Sequence, residues 1–336
     1  MLLALTIALI SCGGSETPGG ETPDLPDEPA CVHEYVEIER TEPMPLRDGA
    51  IKSQCTLCQE EKTDVIPMTR ELKILVIGNS FVDNSLHYLW GICNSAGMEN
   101  AVFGNANIGG ASLADHASSI LLNNGNYNYL KYEAEGQGAE TKDMRLADII
   151  ADEDWDYIAI QQLGHYEGDP SKLSQLETIL DFINEKSPGT DIYWYMTWGY
   201  QQGSTHPGFA MHNNDQMTMY NAILNTVQTK ILTNPRIKGV VPCGTVMQNL
   251  RTSCIGDNVT RDGYHAKAGI AKYALSLTWF AYFTDGDVDK VRWYSLGADL
   301  KNEIIIYSDV AVEAVKNALE KPYEITQSVF TEPLVQ

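Results

Sequence analysis

The sequence predicts an α/β protein, namely a three-layer α/β/α sandwich with a central parallel sheet, preceded by a small N-terminal Cys/His module. Two observations carry this prediction. From residue 73 onward, short runs rich in β-branched and aromatic residues alternate with longer helical stretches. These short runs are almost uniformly apolar, which is typical of strands buried on both faces of a parallel sheet. With 336 residues, 43% of them hydrophobic, the chain can bury one large core.

The N-terminus predicts a lipoprotein. Residues 1–12 are almost wholly apolar and end in Leu9-Ile10-Ser11-Cys12, which resembles a bacterial lipobox and predicts lipidation at Cys12. The departure from this pattern is that no Lys or Arg precedes the apolar run. Residues 13–30 are rich in Gly, Pro and acidic residues and are predicted to be a flexible linker. We therefore expect a lipid-anchored protein of the bacterial cell envelope, at the outer membrane or the periplasmic face.

A short module with spaced soft ligands follows the linker at residues 31–68. Cys31 and His33 form a C-x-H pair, and Cys55 and Cys58 form a C-x-x-C pair. This pattern is typical of a structural zinc site in a small ribbon. In an oxidising envelope the alternative is a disulfide between Cys31 and one of the C-x-x-C thiols. The sequence leaves both alternatives open.

The charge distribution restricts the partners. The formal net charge of -22 is spread along the whole chain, so the surface should repel polyanions and nucleic acid is disfavoured as a partner. No apolar stretch approaches the roughly 20 residues that span a bilayer. Contact with a membrane is therefore expected through the lipid anchor only.

The main domain is predicted to contain strands at residues 73–77, 100–105, 157–160, 192–196 and 239–242, and helices at residues 86–97, 173–186, 215–232 and 267–282. In open parallel sheets, reactive groups lie beyond the carboxyl ends of the strands. Gly78-Asn79-Ser80 directly follows the first strand and places a serine hydroxyl in a strand-to-helix turn. Taken alone, such a serine more often caps the next helix than performs catalysis.

A second chemical signal precedes the last predicted helix. Asp262 and His265 have the spacing Asp-x-x-His, which lets one short loop deliver both side chains. An imidazole can take the proton of an attacking serine and return a proton to the leaving group, while a carboxylate fixes its tautomer. The alternative is that Asp262 caps the helix and His265 is an ordinary surface residue.

Four stretches, taken in order, resemble the sequence blocks of the SGNH (GDSL-like) hydrolase superfamily. They are the Ser80 turn, residues 105–112 after the second strand, residues 161–165 after the third strand, and the loop of Asp262 and His265. The resemblance extends from about residue 72 to residue 285 and is strongest to a bacterial lipoprotein branch whose first block is Gly-Asn-Ser-Phe. It implies a flavodoxin-like fold with Ser80 as nucleophile and with Asp262 and His265 completing a triad.

The resemblance also implies an oxyanion hole. In this superfamily the backbone N–H groups that correspond to Ser80 and Gly110 face the developing negative charge. The third donor of the superfamily is an asparagine in its third block, and this sequence lacks it. Gln162 is the preferred substitute, since its amide offers equivalent N–H donors from one methylene further away, and His165 is the second candidate.

The function implied is a serine esterase that hydrolyses small acyl esters, such as O-acetyl groups on carbohydrate, through an acyl-enzyme and without a cofactor for catalysis. Aromatic and amide residues at 123–137 and 198–214 suit sugar faces, although such residues also pack cores. One alternative is a lipid-anchored carbohydrate-binding protein on a catalytically weakened fold, and another is acyl transfer to a sugar hydroxyl. The hydrolase domain is predicted at residues 69–325, followed by a C-terminal tail at residues 326–336.

Overall fold

The protein is described here by a computed structural model that covers residues 32–98, 100–134, 138–291 and 297–334. The predicted signal peptide with Cys12, the linker and Cys31 lie outside the described residues. Within the described ranges, no helix combines the length and the apolar character that a membrane crossing requires.

The N-terminal module is a small antiparallel sheet. Its strands are β1 (Tyr35–Thr41), β2 (Gly49–Cys55) and β3 (Glu61–Ile66), in the order β1-β2-β3. Most side chains of β1 and β3 are exposed, so the sheet has little hydrophobic core of its own. The module contacts the main domain through Leu46, which packs against the core, and through Arg47, whose Nη1 lies 2.5 Å from Asp285 Oδ2.

The main domain is built on a mostly parallel sheet that has seven strands among the described residues. These strands are β4 (Glu71–Gly78), β5 (Asn100–Asn107), β6 (Tyr127–Tyr132), β7 (Ala139–Met144), β8 (Tyr157–Ile160), β9 (Asp191–Tyr195) and β10 (Ile237–Val241). The order is β10-β9-β8-β4-β5-β6-β7; the first five strands of this order are parallel, and β6 and β7 add an antiparallel edge. The wholly parallel sheet expected from the sequence is therefore wrong at this edge.

The central strands explain why the parallel part was predictable. Each of the five predicted strands agrees with an observed one within two residues at either end. In β4, consecutive residues from Ile74 to Gly78 are buried, although successive side chains point to opposite faces. Both faces at the centre of the sheet are therefore covered, as an α/β architecture requires.

The helices are α1 (Ser80–Leu86), α2 (Leu89–Ser95), α3 (Leu113–Leu121), α4 (Leu146–Ile150), α5 (Gly164–Glu167), α6 (Leu176–Lys186), α7 (Gln216–Thr226), α8 (Cys243–Arg251), α9 (Ile270–Thr284) and α10 (Ala298–Glu320). Short 3₁₀ turns span Pro170–Leu173 and Pro207–His212, and a π-helical turn spans Val227–Ile231. Helices α1, α2, α8 and α10 contact α9, whereas α3 and α4 contact α6. Helix α9 is buried almost all round and lies within the core.

The helix predicted at residues 86–97 needs correction. The structure has α2 (Leu89–Ser95) there and a separate helix before it, α1, which begins at Ser80 because the Asn79 side chain accepts a hydrogen bond from Phe81 N and caps the turn. Residues of the predicted C-terminal tail contact the main domain. Cys254 N donates to Phe330 O at 2.7 Å, and Thr326 N donates to the Asn249 side chain of α8 at 2.8 Å.

Candidate active site

Asn79 joins three loops at the carboxyl end of the sheet. Its side-chain Nδ2 donates to the carbonyl of Ala111, in the loop after β5, at 3.0 Å. Its backbone N–H donates to Gln161 Oε1, just after β8, at 3.0 Å. The donor to Ala111 must be an amide, because an aspartate carboxylate has no N–H to give. The asparagine between Gly78 and Ser80 therefore orders the surroundings of the serine.

The loop at residues 259–267 presents Asp262 and His265 together. Its two arms are held by an antiparallel bridge between Thr260 and Ala266, which closes it like a small hairpin. Gly263 has φ +92°, a conformation that L side chains rarely adopt, so the reversal of the chain requires a glycine. The loop consequently places the carboxylate and the imidazole on the same side.

Ser80, His265 and Asp262 form an unbroken chain of hydrogen-bonding contacts. Ser80 Oγ lies 2.7 Å from His265 Nε2, and His265 Nδ1 lies 2.7 Å from Asp262 Oδ2. Asp262 Oδ1 also accepts the His265 backbone N–H at 2.9 Å. Partial burial raises the pKa of Asp262, but hydrogen bonds from His265 outweigh this effect and the pKa is lowered overall. The carboxylate therefore stays charged beside the imidazole at neutral pH.

Aromatic rings fix the position of His265. The Tyr264 and Phe81 rings lie 4.2 Å and 5.5 Å from the imidazole, measured between ring centroids. Phe81 in turn stacks on Trp198 at 4.5 Å, with the two rings nearly parallel. Trp198 Nε1 donates to the Tyr264 carbonyl at 2.7 Å and so ties the loop to the end of β9. These contacts restrict the rotation of the imidazole.

Two backbone N–H groups are available near the serine. Within the described residues, neither the Ser80 N–H nor the Gly110 N–H donates a hydrogen bond. Gly110 has φ +66°, and a Cβ built on it would meet nothing within 4 Å, so this stretch of backbone is open to an incoming group. Backbone donors of this kind are what an oxyanion requires.

Gln162 does not offer the free amide expected of it. Its side chain is fully buried, and its Nε2 donates to the carbonyl of Lys172 at 2.9 Å. Its Oε1 accepts the backbone N–H groups of Leu113 at 3.1 Å and Leu163 at 2.8 Å. The amide thus connects loops in the interior, and this geometry disfavours it as the third oxyanion donor.

His165, the second candidate, lies in a cluster of rings beside the triad. Its Nδ1 is 3.2 Å from Tyr200 Oη, and its ring centroid is 5.1 Å from that of His206. Burial, with help from the neighbouring His206 and His212, lowers the pKa of His165 to about 4. Gly208 leaves room for the ring, because a Cβ there would lie 2.3 Å from the imidazole. His165 is therefore a neutral imidazole at neutral pH.

The tyrosines considered for sugar binding belong to the core. Tyr127, Tyr129 and Tyr132 lie on β6 and are buried. Tyr129 Oη donates to Asp152 at 2.9 Å, and Tyr132 Oη donates to Asp83 at 3.2 Å. Their faces are not available to a ligand, so these three tyrosines do not form the sugar-binding surface expected of residues 123–137.

Sequence reasoning missed three residues that organise the site. These residues are Asn79, Gln161 and Trp198, none of which is among the predicted site residues. The sequence nevertheless contains a signal for each, because all three lie within two residues of the end of a predicted strand. The carboxyl ends of parallel strands meet at one edge of the sheet, where functional side chains gather.

At the N-terminal module, the structure brings His33, Cys55 and Cys58 together. Their ligand atoms all lie within 4.8 Å of one another, the spacing of a potential metal centre. Cys31, the fourth residue predicted for this site, lies outside the described residues.

The fold and the site define an α/β protein that carries a Ser–His–Asp chain at the carboxyl edge of its sheet. The sequence profile of a family described as "Domain of unknown function (DUF4886)" matches residues 73–303. The chain therefore belongs to the DUF4886 family, and the N-terminal module lies outside the matched region.

One solved structure agrees with this assignment, and a second is a more distant likeness. A DUF4886 family protein from Bacteroides uniformis is 34% identical, with a TM-score of 0.73, over 78% of this chain and 100% of that one. A candidate SGNH hydrolase from Slackia heliotrinireducens is 16% identical, with a TM-score of 0.40, over 64% of this chain and 100% of that one. The second likeness is too distant to bear on function. No curated protein matches the sequence.

Proposed function

We propose that this protein is a serine hydrolase of the SGNH type that cleaves small acyl esters. The observation that carries the proposal is the contact chain from Ser80 Oγ through His265 to Asp262, with both links at 2.7 Å. A serine becomes a useful nucleophile only when an adjacent base can take its proton and that base is itself oriented. This arrangement meets both conditions.

The reaction begins with attack of Ser80 Oγ on the acyl carbonyl. His265 Nε2 takes the hydroxyl proton as the bond forms and gives a proton to the departing alcohol, which leaves an ester on Ser80. Water then attacks this ester while His265 takes a proton from it, and the imidazolium returns a proton to Ser80 Oγ as the acid is released. Asp262 keeps Nδ1 protonated and stabilises the imidazolium that forms in each step.

The negative charge on the carbonyl oxygen needs fixed donors. The N–H groups of Ser80 and Gly110 are the proposed donors, since both lack partners within the described residues. Backbone dipoles of this kind need little reorganisation when charge develops. The buried position of Gln162 leaves His165 as the better side-chain candidate for the third donor, because its neutral ring can present an N–H.

The substrate proposed is an O-acyl group on a polar carrier such as a carbohydrate. A depression of about 360 Å³ adjoins Gly110, and polar side chains line much of it: Asp115, Ser118, Ser119, Asn124 and Asn126. Hydroxyl, amide and carboxylate groups suit the hydroxyls of a sugar better than a long acyl chain. A lipid anchor at Cys12 in the cell envelope would place the enzyme near such glycans and remains part of the proposal.

Hydrolysis is preferred to the alternative of a carbohydrate-binding protein without turnover. A protein that only binds has no need for a serine, an imidazole and a carboxylate in hydrogen-bonded line. Transfer of the acyl group to a sugar hydroxyl uses the same residues and differs in the acceptor. Comparing the release of free acid with the formation of an acylated sugar distinguishes these two outcomes.

The test uses a short-chain aryl ester such as p-nitrophenyl acetate with the full chain. Ser80→Ala should lower kcat by roughly 10³-fold or more, because the nucleophile is lost. Ser174→Ala is the matched control, since Ser174 is an exposed serine outside the site, and it should retain full activity. Equal turnover by wild type and a correctly folded Ser80→Ala variant would refute the proposal.

A further inference from the structure

The N-terminal module contains a cluster of soft ligands that the proposed hydrolase chemistry does not use. His33 lies two residues before the start of β1, Cys55 ends β2, and Cys58 lies in the turn to β3. Cys58 Sγ is 3.2 Å from His33 Nδ1, and all three ligand atoms lie within 4.8 Å of one another. Ligand atoms on a tetrahedral zinc ion stand about 3.5 to 4 Å apart, so small adjustments suffice to bind one.

We propose that His33, Cys55 and Cys58 bind a structural zinc ion that holds this three-stranded module together. Two thiolates and one imidazole are ligands that zinc prefers over harder cations. Cys31, the fourth ligand expected from the sequence, lies outside the described residues, and the proposal rests on the three described ligands.

The surroundings of His33 support the assignment. Its Nε2 lies 3.3 Å from Glu60 Oε2, and Tyr35 Oη donates to the other carboxylate oxygen of Glu60 at 3.3 Å. A metal-bound histidine usually donates its second ring N–H to a carboxylate, which fixes the tautomer and directs the other nitrogen at the ion. Glu60 occupies that position and leaves Nδ1 facing Cys58.

The turn that carries the two cysteines is also suited to a metal. The turn is closed by backbone hydrogen bonds, since Gln59 N donates to the Cys55 carbonyl at 3.0 Å and Cys55 N donates to the Glu60 carbonyl at 2.8 Å. Gln59, directly after Cys58, has φ +64° and turns the chain back into β3. These features direct both sulfurs to the same side of the hairpin.

The module needs such a ligand for its stability. Val36, Ile38 and Val65 are between 47% and 64% exposed, so the strands bury little apolar surface. Sheets this small, with so little core, usually depend on a metal or a disulfide to fold. The Cys55 and Cys58 sulfurs both lie within 4.8 Å of the His33 ligand atom, which is the arrangement that a shared metal ion needs.

The experiment measures zinc in the purified full chain, prepared with reductant, by elemental mass spectrometry. Wild type should contain about one zinc per chain, whereas the Cys55→Ser and Cys58→Ser variants should each lose it by about tenfold or more. The matched control is Cys254→Ser, which removes a half-buried free thiol from the main domain and should keep the metal.

A second measurement covers the possibility that the variants fail to fold. Cobalt(II) added to the metal-free wild-type chain should give the intense visible bands of a tetrahedral thiolate site. Absence of these bands together with absence of zinc in the wild type would overturn the proposal. So would intact-mass and peptide analysis of the unreduced protein showing that Cys55 or Cys58 is in a disulfide. Neither readout depends on ester hydrolysis, so the zinc proposal and the hydrolase proposal can fail separately.

Discussion

The Ser–His–Asp site and the Cys/His site lie beyond opposite ends of β4 and are assembled in opposite ways. Ser80 follows the carboxyl end of this strand, whereas the module joins its amino end, about 25 Å away for eight extended residues. Ser80 and His265 are 185 residues apart in sequence, but His33 and Cys58 are only 25 apart. The first site thus depends on the packing of the whole domain, whereas the second lies within the small three-stranded module.

The largest loss of activity should come from replacing His265, the central residue of the triad. His265→Gln should lower kcat for an aryl ester by roughly 10⁴-fold or more, because no base remains to take the serine proton. His206→Gln is the matched control, since His206 lies 4.7 Å from the Tyr264 ring but outside the hydrogen-bonded chain. We expect it to lose less than about tenfold in steady-state assays. Similar losses in both variants would show that the cluster, and not His265 itself, supports turnover.

A smaller loss is expected at the outer end of the triad. Asp262→Asn should lower kcat by about 10²- to 10⁴-fold, because an amide favours the wrong imidazole tautomer. Arg261→Gln is the control, since Arg261 Nε also approaches Asp262 Oδ2, at 3.3 Å, but from an exposed position. Its effect on kcat should stay within about threefold, as for other surface ion pairs. Full activity in Asp262→Asn would remove the carboxylate from the mechanism.

The contribution of a buried carboxyl group to the stability of the main domain can be tested through Glu167. This fully buried carboxyl accepts hydrogen bonds from Trp194 Nε1 at 2.8 Å and Thr197 N at 2.9 Å, next to the end of β9. Burial nevertheless raises its pKa from 4.5 to about 7. Between these values the folded state binds more protons than the unfolded state. The free energy of unfolding should therefore fall as pH rises from 4.5 to 7 and become level above 7.

Glu167→Gln should remove this pH-dependent contribution to stability, which amounts to roughly 3 kcal/mol in the wild type. Urea unfolding at several pH values gives the free energy of unfolding of each protein. The comparison uses the change of this free energy with pH, because the variant also loses hydrogen bonds and this loss acts at every pH. Parallel stability curves for the wild type and Glu167→Gln would show that the carboxyl does not titrate in this range.

The smallest effect on activity is expected from the module. Cys58→Ser should abolish zinc binding yet change kcat by no more than about twofold, because the module lies beyond the opposite end of β4. Ester turnover and zinc content measured on the same preparation check this. A large loss of turnover in a variant whose main domain remains folded would contradict the independence of the two sites.

The parallel part of the fold was predictable because its strands are short, apolar and separated by helices. The antiparallel edge was not predicted, since the tyrosines of β6 were interpreted as a binding surface. Tyr127 and Tyr129 lie two residues apart, which is the period of a strand with one buried face. Three aromatic side chains in one segment, however, fit a buried strand and a binding surface equally well. Only the burial of these rings in the structure distinguishes them.

The site was predictable where one local motif suffices and unpredictable where tertiary packing decides. Ser80, Asp262 and His265 were named from short motifs, and the structure brings them together. Gln162 was named from its position after β8, but the direction of its amide depends on the carbonyl of Lys172, ten residues further along the chain. No sequence pattern indicates whether an amide after a strand faces the open site or the interior.

Reaction with a fluorophosphonate probe, followed by mass spectrometric mapping of the adduct, tests the central claim most directly. It needs no knowledge of the natural ester, because the probe reports only an activated serine. We predict a single adduct on Ser80 in the wild-type chain and strongly reduced labelling in His265→Gln. An unlabelled Ser80 in folded protein, or equal labelling of Ser80 with and without His265, would contradict the account.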